Sequence, residues 1–250
     1  MYPDKLEYFL RLGDSALILG QQLCRWCGHA PVIEEDIAVT NTALDLIGQA
    51  RFWLDAAGSL EGVGRTADDF AYHRHGQLFR NVLLVEQPNG DYGMTLMRQF
   101  IFDAWHAPLL ASLVQSSDKA VSEIAGRSSK EAAYHLQRSR SLVSRLAHGT
   151  EESHSRMQMA LDGLWPFAAE LVTPDVVDQN AAQQGYGMPL ELVAEVASET
   201  WSSVFADAGL ARDPKASTPR GGKRGQHSEH LDYILIEMQA LQRSHPGAKW

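Results

Sequence analysis

The sequence is poor in the features that define several classes of protein, and each absence narrows what the chain can be. Only two of the 250 residues are cysteine, which excludes a disulfide-rich scaffold. No run of about 18 apolar residues occurs, so no segment is expected to span a membrane. The first residues, MYPDKLEYFLRLGD, lack a basic region followed by an apolar run. We therefore expect no signal peptide and a cytoplasmic location.

Basic residues are also few. The chain has 22 Lys and Arg against 31 Asp and Glu, a formal net charge of −9 with neutral histidines. Nucleic-acid binders gain affinity by neutralising phosphates, so this balance argues against a DNA or RNA partner. Hydrophobic residues make up 44 % and charged residues 21 %, as in folded globular proteins. We expect a single domain over residues 1–250, long enough to bury a core of its own.

The sequence has no sustained alternation of period two, and its hydrophobic spacing is helical almost throughout. The first predicted helix runs from about Leu6 to Cys27, where Gly28 and Pro31 end it. The others are predicted at about 34–57, 67–86, 92–114, 119–148, 153–172, 174–184, 189–208 and 228–244. Pro108 lies inside one of them and is expected to kink it. The pattern predicts an all-α bundle of long antiparallel helices with extra flanking helices.

Long-helix bundles include the carboxylate-bridged di-iron proteins, whose ligands follow a fixed pattern. Such sites take one carboxylate from each of two helices and Glu-x-x-His from each of two others. The spacing of three puts both ligands on one helix face. No Glu-x-x-His occurs in this chain. Asp103 and His106 have the spacing with Asp in place of Glu, and Ala132 precedes His135 where a carboxylate is needed.

Two interpretations of these residues remain open. In the first, Asp103 and His135 form a buried, hydrogen-bonded polar pair, because an unpaired buried charge is costly. In the second, Asp45, which is expected to face inward on the second helix, joins Asp103, His106, Glu131 and His135 around a metal. The helical phase favours the first interpretation, because Glu131 points away from the face that carries His135.

Two further motifs have structural interpretations. Cys24 and Cys27 both fall on the apolar stripe of the first helix, where free cysteine behaves as a small hydrophobic residue, so both are predicted in the core. The segment His73-Arg74-His75 straddles two helix faces and is predicted to be a solvated helix surface.

One segment has the opposite charge to the rest. Residues 212–225, RDPKASTPRGGKRG, hold five Lys and Arg against one Asp, a net of +4. Glycine lets a backbone approach a phosphate closely, and basic side chains supply the charge. We therefore predict that Arg220, Lys223 and Arg224 contact the phosphates of coenzyme A or an acidic protein partner. A flexible solvated loop is the alternative.

Several long segments together resemble one protein family. The segments are LRLGDSALILGQQLCRWCGHAPVIEEDIA, LDLIGQAR, FRNVLLVEQPNGDY, FIFDAWH, KEAAYHLQRSR, RGGKRGQHSEHL and the terminal GAKW. They resemble the C-subunit family of bacterial ring-1,2-phenylacetyl-CoA epoxidases, the monooxygenases of phenylacetate degradation. The resemblance runs from residue 8 to residue 250 and so covers nearly the whole chain.

This resemblance implies a ferritin-like fold and a non-catalytic, structural role. It implies that the chain pairs with and stabilises a homologous A subunit, which holds the di-iron centre and the substrate. A small B subunit and a reductase with flavin, a 2Fe-2S cluster and NADPH are the other implied partners. The complex places one oxygen atom from O2 across the aromatic ring of phenylacetyl-CoA, which is a further expected partner. The chain itself is expected to hold no cofactor.

The resemblance also gives the polar residues a common interpretation. Asp45 corresponds to the first element of the di-iron pattern, Asp103 to the third, and Ala132 and His135 to the fourth, while the second is missing. The resemblance thus implies a vestigial di-iron site with no metal and no catalytic residue. Two alternatives remain: a di-iron oxygenase or oxidase active in its own right, and an acyl-CoA-binding helical module whose melting temperature a CoA ester would raise.

Overall fold

The structure, a computed structural model, describes residues 3–248, and none of these lies in a β-strand. The all-α class predicted from the sequence is confirmed. The α-helices are α1 (Asp4–Cys24), α2 (Ile33–Glu61), α3 (Ala67–Tyr72), α4 (Leu83–Glu86), α5 (Tyr92–Leu113), α6 (Lys119–Ala147), α7 (Glu151–Leu164), α8 (Ala168–Val172), α9 (Val176–Gln183), α10 (Leu190–Asp207) and α11 (Glu229–Ser244). Short 3-10 helices lie at Gly76–Leu78, Trp165–Phe167 and Gly222–Arg224.

The chain divides into two compact units. Unit 1 contains the described residues up to Pro88 and those from Gly221 onward, and unit 2 is Asn89–Arg220. The unit boundary therefore falls inside the basic segment 212–225. A single domain over residues 1–250 stays a prediction. The last two residues of the GAKW segment, like residues 1 and 2, lie outside the described part of the chain.

Unit 1 is built on the packing of α1 against α2, with α3, α4 and α11 around them. Nearly every residue of α1 between Leu6 and Leu23 is buried. The helix ends at Cys24, and a turn continues to Gly28, which has a positive φ of 80° and stops the chain from continuing as a helix. Ser228, the expected start of the last helix, is the N-cap residue of α11, but its side chain caps no backbone N–H.

The single helix predicted over residues 67–86 is wrong. Only α3 and α4 are α-helical there, and much of the chain between them is extended. The reason is Arg74, which is 2 % exposed and makes a buried, bidentate ion pair with Asp14. The backbone N–H of Arg80 also donates to Asp14 Oδ2 at 2.8 Å, and the Arg80 side chain pairs with Glu7. A continuous helix could not bring both arginines to the two acids of α1.

Unit 2 is built around α5, which packs against α6, α7, α8 and α10. As the apolar run in the sequence predicts, α5 is buried on nearly all sides. Asp91 caps it by accepting the backbone N–H of Met94 at 2.9 Å, and the helix continues through Pro108. The indole N–H of Trp201 in α10 donates to the carbonyl of Ile101 at 3.2 Å, which ties the two helices together.

Within the described residues, no helix has the combination of length and apolar content that a membrane-spanning helix requires. This agrees with the absence of long apolar runs noted in the sequence.

Candidate functional site

Unit 2 encloses a set of polar side chains between α5 and α6, here called the Asp103 cluster: Gln99, Asp103, His106, His135 and Ser139. Each is at most 4 % exposed. The spacing of four between Gln99 and Asp103, and between His135 and Ser139, puts each pair on one helix face. Gln99 Nε2 donates to Asp103 Oδ1 at 2.7 Å, and Ser139 Oγ donates to Asp103 Oδ2 at 2.8 Å. Both carboxylate oxygens are therefore engaged by protein groups.

Burial dominates the electrostatics of the Asp103 cluster. It raises the pKa of Asp103 to about 6, although the His135 ring and the hydrogen bonds from Ser139 and Gln99 act in the opposite direction. Burial, reinforced by His135, lowers the pKa of His106 to about 3. Near neutral pH the cluster thus contains an ionised aspartate and a neutral imidazole.

Some polar atoms of this region have no hydrogen-bond partner among the described residues. They include Gln99 Oε1, Trp105 Nε1 and His106 Nδ1. Sequence reasoning found Asp103, His106 and His135 but missed Gln99 and Ser139, the two side chains that bond to the carboxylate. Their spacing of four from Asp103 and His135 was the available signal.

The donor chemistry of the Asp103 cluster does not fit a di-iron centre. Ala132 lies one turn before His135, 1 % exposed, and presents a methyl group where the family pattern has a carboxylate. Asp103, the remaining carboxylate, already accepts a hydrogen bond on each oxygen. Among residues 3–248, no three His, Cys, Asp or Glu side chains come together in a group that could hold a metal ion.

The remaining predicted ligands are Asp45 and Glu131. Asp45 is half-buried on α2, in unit 1, whereas Asp103 and His135 belong to unit 2. Glu131 is half-buried next to the fully buried Ala132. The vestigial interpretation of Asp45, Asp103, Ala132 and His135 stays a prediction.

Unit 1 contains a second buried polar site, centred on Glu86, which sequence reasoning missed. Glu86 is 0 % exposed and accepts hydrogen bonds from Asn81 Nδ2 at 2.9 Å, His227 Nδ1 at 2.8 Å and the backbone N–H of Ser228 at 2.7 Å. His227 Nε2 faces the Phe79 carbonyl at 3.1 Å, so both ring nitrogens face acceptors. Burial alone would lower the pKa of His227, but Glu86 and the Phe79 carbonyl outweigh it and raise that pKa.

The sequence of the whole chain is similar to those of known proteins. Residues 2–250 match a protein family described as Phenylacetic acid catabolic protein. The chain belongs to this family. It is also 43 % identical over 244 residues to the C subunit of the 1,2-phenylacetyl-CoA epoxidase of Escherichia coli (strain K12). That alignment covers 97 % of this chain and 98 % of the relative. The family resemblance and the ferritin-like fold class predicted from the sequence are thereby confirmed.

The last part of the basic segment forms the 3-10 helix Gly222–Arg224. Arg220 and Arg224 are exposed, but Lys223 is buried at 8 % exposure. The glycines pack against protein rather than leaving room for a phosphate. A Cβ on Gly222 would lie 2.2 Å from the carbonyl oxygen of Asn81. Of the three residues predicted to contact a phosphate or a partner, Arg220 and Arg224 are therefore at the surface and Lys223 is not.

Replacing Gly222 with alanine tests this close packing. We expect the free energy of unfolding to fall by about 2–3 kcal/mol, because a side chain forced into a packed contact displaces backbone. Gly126 in α6 is the matched control, since a Cβ there meets nothing within 4 Å. Gly126→Ala should be neutral or stabilising by up to about 1 kcal/mol. Urea denaturation measures both changes. Equal stability of Gly222→Ala and wild type would contradict the packing described.

The two cysteines do not form a core pair. Cys24 is half-buried, but Cys27 is exposed, so the prediction that both lie in the core is wrong for Cys27. The helix ends at Cys24, one turn earlier than the apolar stripe indicates, and this places Cys27 in the turn that follows. Burial and the neighbouring Cys27 raise the pKa of the Cys24 thiol.

Proposed function

We propose that the chain is a non-catalytic structural subunit of a multicomponent phenylacetyl-CoA ring 1,2-epoxidase in aerobic phenylacetate catabolism. In this role it pairs with and stabilises a homologous di-iron subunit in the cytoplasm, beside a small subunit and a reductase. The near-complete coverage of a relative named as the C subunit of this enzyme supports the assignment.

The observation that carries the non-catalytic part of the proposal is the chemistry of the Asp103 cluster. A di-iron centre needs carboxylates and imidazoles converging from four helices. Here Ala132 stands at one carboxylate position, and Gln99 and Ser139 hold both oxygens of Asp103. Loss of a ligand and its charge lowers metal affinity sharply. The buried polar residues of this chain then serve packing and specificity rather than oxygen activation.

Reconstitution from purified subunits tests the structural role. Epoxidation of phenylacetyl-CoA by the homologous di-iron subunit with reductase and NADPH is expected to fall at least about tenfold when this chain is omitted. The homologous subunit is loaded with iron beforehand, and its iron content should be the same with and without this chain. Full activity without this chain would contradict the proposal, as would epoxidation by this chain with the reductase alone.

We also propose that the exposed Arg220 and Arg224 contact the coenzyme A phosphates or the partner subunit. Their charge stands out in a chain with a net charge of −9. Replacing both with alanine should raise the KM for phenylacetyl-CoA or weaken assembly by about five- to tenfold. The double variant Lys130→Ala/Arg140→Ala, which removes two exposed positive charges from α6, serves as the comparison. Unchanged KM and assembly after replacement of Arg220 and Arg224 would contradict this assignment.

A further inference from the structure

Both cysteines of the chain lie in unit 1, within one turn at the end of α1. Cys24 is the last residue of the helix and is half-buried, whereas Cys27 follows three residues later and is exposed. Both thiols are free, and neither takes part in a disulfide. The proposed structural role uses neither of them, so the chemistry of this pair is a separate question.

The backbone tightens where α1 ends, and this brings the two cysteine side chains into line. The backbone N–H of Trp26 donates to the Leu23 carbonyl at 2.9 Å. The backbone N–H of Cys27 donates to the Cys24 carbonyl at 3.1 Å. Both bonds join residues three apart, as in a 3-10 helix, in which side chains three residues apart eclipse each other. A continued α-helix would turn the two cysteines about 60° away from each other.

The separation that this turn sets between the two cysteines suits a disulfide. A 3-10 helix rises about 2.0 Å per residue, so eclipsed residues three apart have Cα atoms about 6 Å apart. Disulfides occur at Cα separations of about 4.4–6.8 Å, provided that the Cβ atoms do not point apart. Burial, and next the neighbouring Cys27, raise the pKa of the Cys24 thiol, and a neighbour has this effect only at short range. The two sulfur atoms can therefore join without a large movement of the backbone.

Contacts on the far side of the turn hold it in this shape. The backbone N–H of His29 donates to the Trp26 carbonyl at 2.8 Å. The backbone N–H of Ala30 donates to Asp36 Oδ2 at 3.2 Å, which ties the turn to the first turn of α2. A fixed geometry keeps the two thiols close before any oxidation takes place. Preorganisation of this kind favours reaction between the two groups over reaction with a second molecule.

The two thiols suit redox chemistry better than metal binding. A structural zinc site needs four ligands, and in the described part of the chain no three His, Cys, Asp or Glu side chains form a group that could hold a metal ion. A pair with one exposed and one shielded thiol lets the exposed thiol meet an oxidant while its neighbour resolves the product. Disulfides of reducing compartments are usually transient and form at such pairs.

We propose that Cys24 and Cys27 form a reversible redox site, which hydrogen peroxide converts to an intramolecular disulfide. The Cys27 sulfur attacks one peroxide oxygen, an S–O bond forms as the O–O bond breaks, and water leaves. The Cys24 sulfur then attacks the Cys27 sulfenic acid, an S–S bond forms as the S–O bond breaks, and a second water leaves with the Cys24 proton. The two thiols together lose two hydrogen atoms, and the peroxide is reduced to two molecules of water. The pair needs no partner subunit, so its test is independent of the proposed function.

Intact mass spectrometry of the reduced full-length chain tests the proposal, with peroxide treatment followed by N-ethylmaleimide. The peroxide dose is one that fully oxidises Cys27 in the variant Cys24→Ser. Wild type is expected to lose about 2 Da, to take up no maleimide and to run as a single chain on a non-reducing denaturing gel. Dithiothreitol should restore two reactive thiols. Two maleimide adducts on peroxide-treated wild type, or cross-linked dimers in place of the internal disulfide, would overturn the redox site.

The variant Cys27→Ser/His29→Cys is the matched control for the geometry of the turn. It keeps two thiols, and positions 27 and 29 are both exposed, but the second thiol leaves the eclipsed position. With dimedone present during oxidation, wild type should give at least about tenfold less sulfenic-acid adduct than this control, because Cys24 captures the sulfenic acid first. Thermal melts monitored by circular dichroism check that the control folds. Equal dimedone adducts in wild type and control would contradict a pair that the turn holds ready to join.

Discussion

Replacing Glu86 with alanine is expected to lower the free energy of unfolding by about 3–5 kcal/mol, the typical effect of removing one partner from a buried ion pair. Glu86 is fully buried and accepts hydrogen bonds from the Asn81 amide, the His227 ring and the backbone N–H of Ser228. Alanine leaves all three donors without their acceptor. Because His227 and Ser228 lie just before α11, we expect this helix to be the first element to lose its protection from hydrogen exchange.

The loss caused by Glu86→Ala should depend on pH. The pKa of His227 is raised in the folded chain above its ordinary value of 6.5. Its contribution is therefore fully present below pH 6.5 and is lost as the pH rises through the raised pKa. Urea denaturation at pH 6 should show a larger loss than at pH 9. Glu237→Ala, which breaks only the exposed ion pair with Arg25, is the control and should change stability by less than about 1 kcal/mol. Equal losses at both pH values would contradict a charged Glu86–His227 pair.

Replacing Asp103 with asparagine is expected to change how stability depends on pH. The pKa of Asp103 is about 6 in the folded chain against an ordinary value of 3.8, so the folded state binds the proton more tightly. Stability from this group is therefore highest below pH 3.8 and falls as the pH rises through 6. The full difference is about 3 kcal/mol, of which about 2 kcal/mol falls between pH 4.5 and 7.5. Asparagine does not titrate, so the variant does not lose this stability as the pH rises.

Urea denaturation of wild type and Asp103→Asn at pH 4.5 and 7.5 measures the effect. The free energy of unfolding of the variant minus that of wild type should be about 2 kcal/mol larger at pH 7.5 than at pH 4.5. Asparagine can keep both contacts, because its carbonyl accepts from Gln99 and its amide donates to the Ser139 hydroxyl. Asp162→Asn, which removes an exposed carboxylate from the same unit, is the control. A constant difference between variant and wild type would contradict the raised pKa of Asp103.

The same variant separates a structural from a metal-binding role. In the reconstituted complex, Asp103→Asn should retain epoxidation activity within about twofold of wild type, since in the proposed role Asp103 holds no metal. A metal ligand behaves differently: amide replacement of a carboxylate ligand removes its charge and lowers metal affinity by orders of magnitude. Loss of activity in a complex that still assembles would contradict the structural role.

Much of the fold could be predicted because it depends on local pattern. Helical periodicity located α1, α2, α5, α6, α9, α10 and α11, and the all-round apolar character of α5 predicted its burial. The break in the segment 67–86 could not be predicted, because it depends on an ion pair between Arg74 and Asp14, 60 residues apart in the sequence. Periodicity indicates which positions are apolar, but it does not identify the partner of a buried charge.

The functional residues divide in the same way. Asp103, His106 and His135 were identified because di-iron ligands have a fixed spacing on a helix. Glu86 and His227 were missed, because they lie 141 residues apart and belong to no motif. The burial of Lys223 could not be predicted from the sequence. It depends on the packing of the Gly222 turn against the segment 77–83, which is distant in the sequence.

The amount of iron bound by the lone chain tests the central claim most directly. The purified full-length protein is loaded anaerobically with Fe(II), desalted and analysed for iron per chain, with the homologous di-iron subunit treated in parallel. The structural role predicts well under one iron per chain, beside about two in the homologous subunit. About two irons bound to this chain, lost on Asp103→Asn, would contradict the account and identify the Asp103 cluster as part of a metal centre.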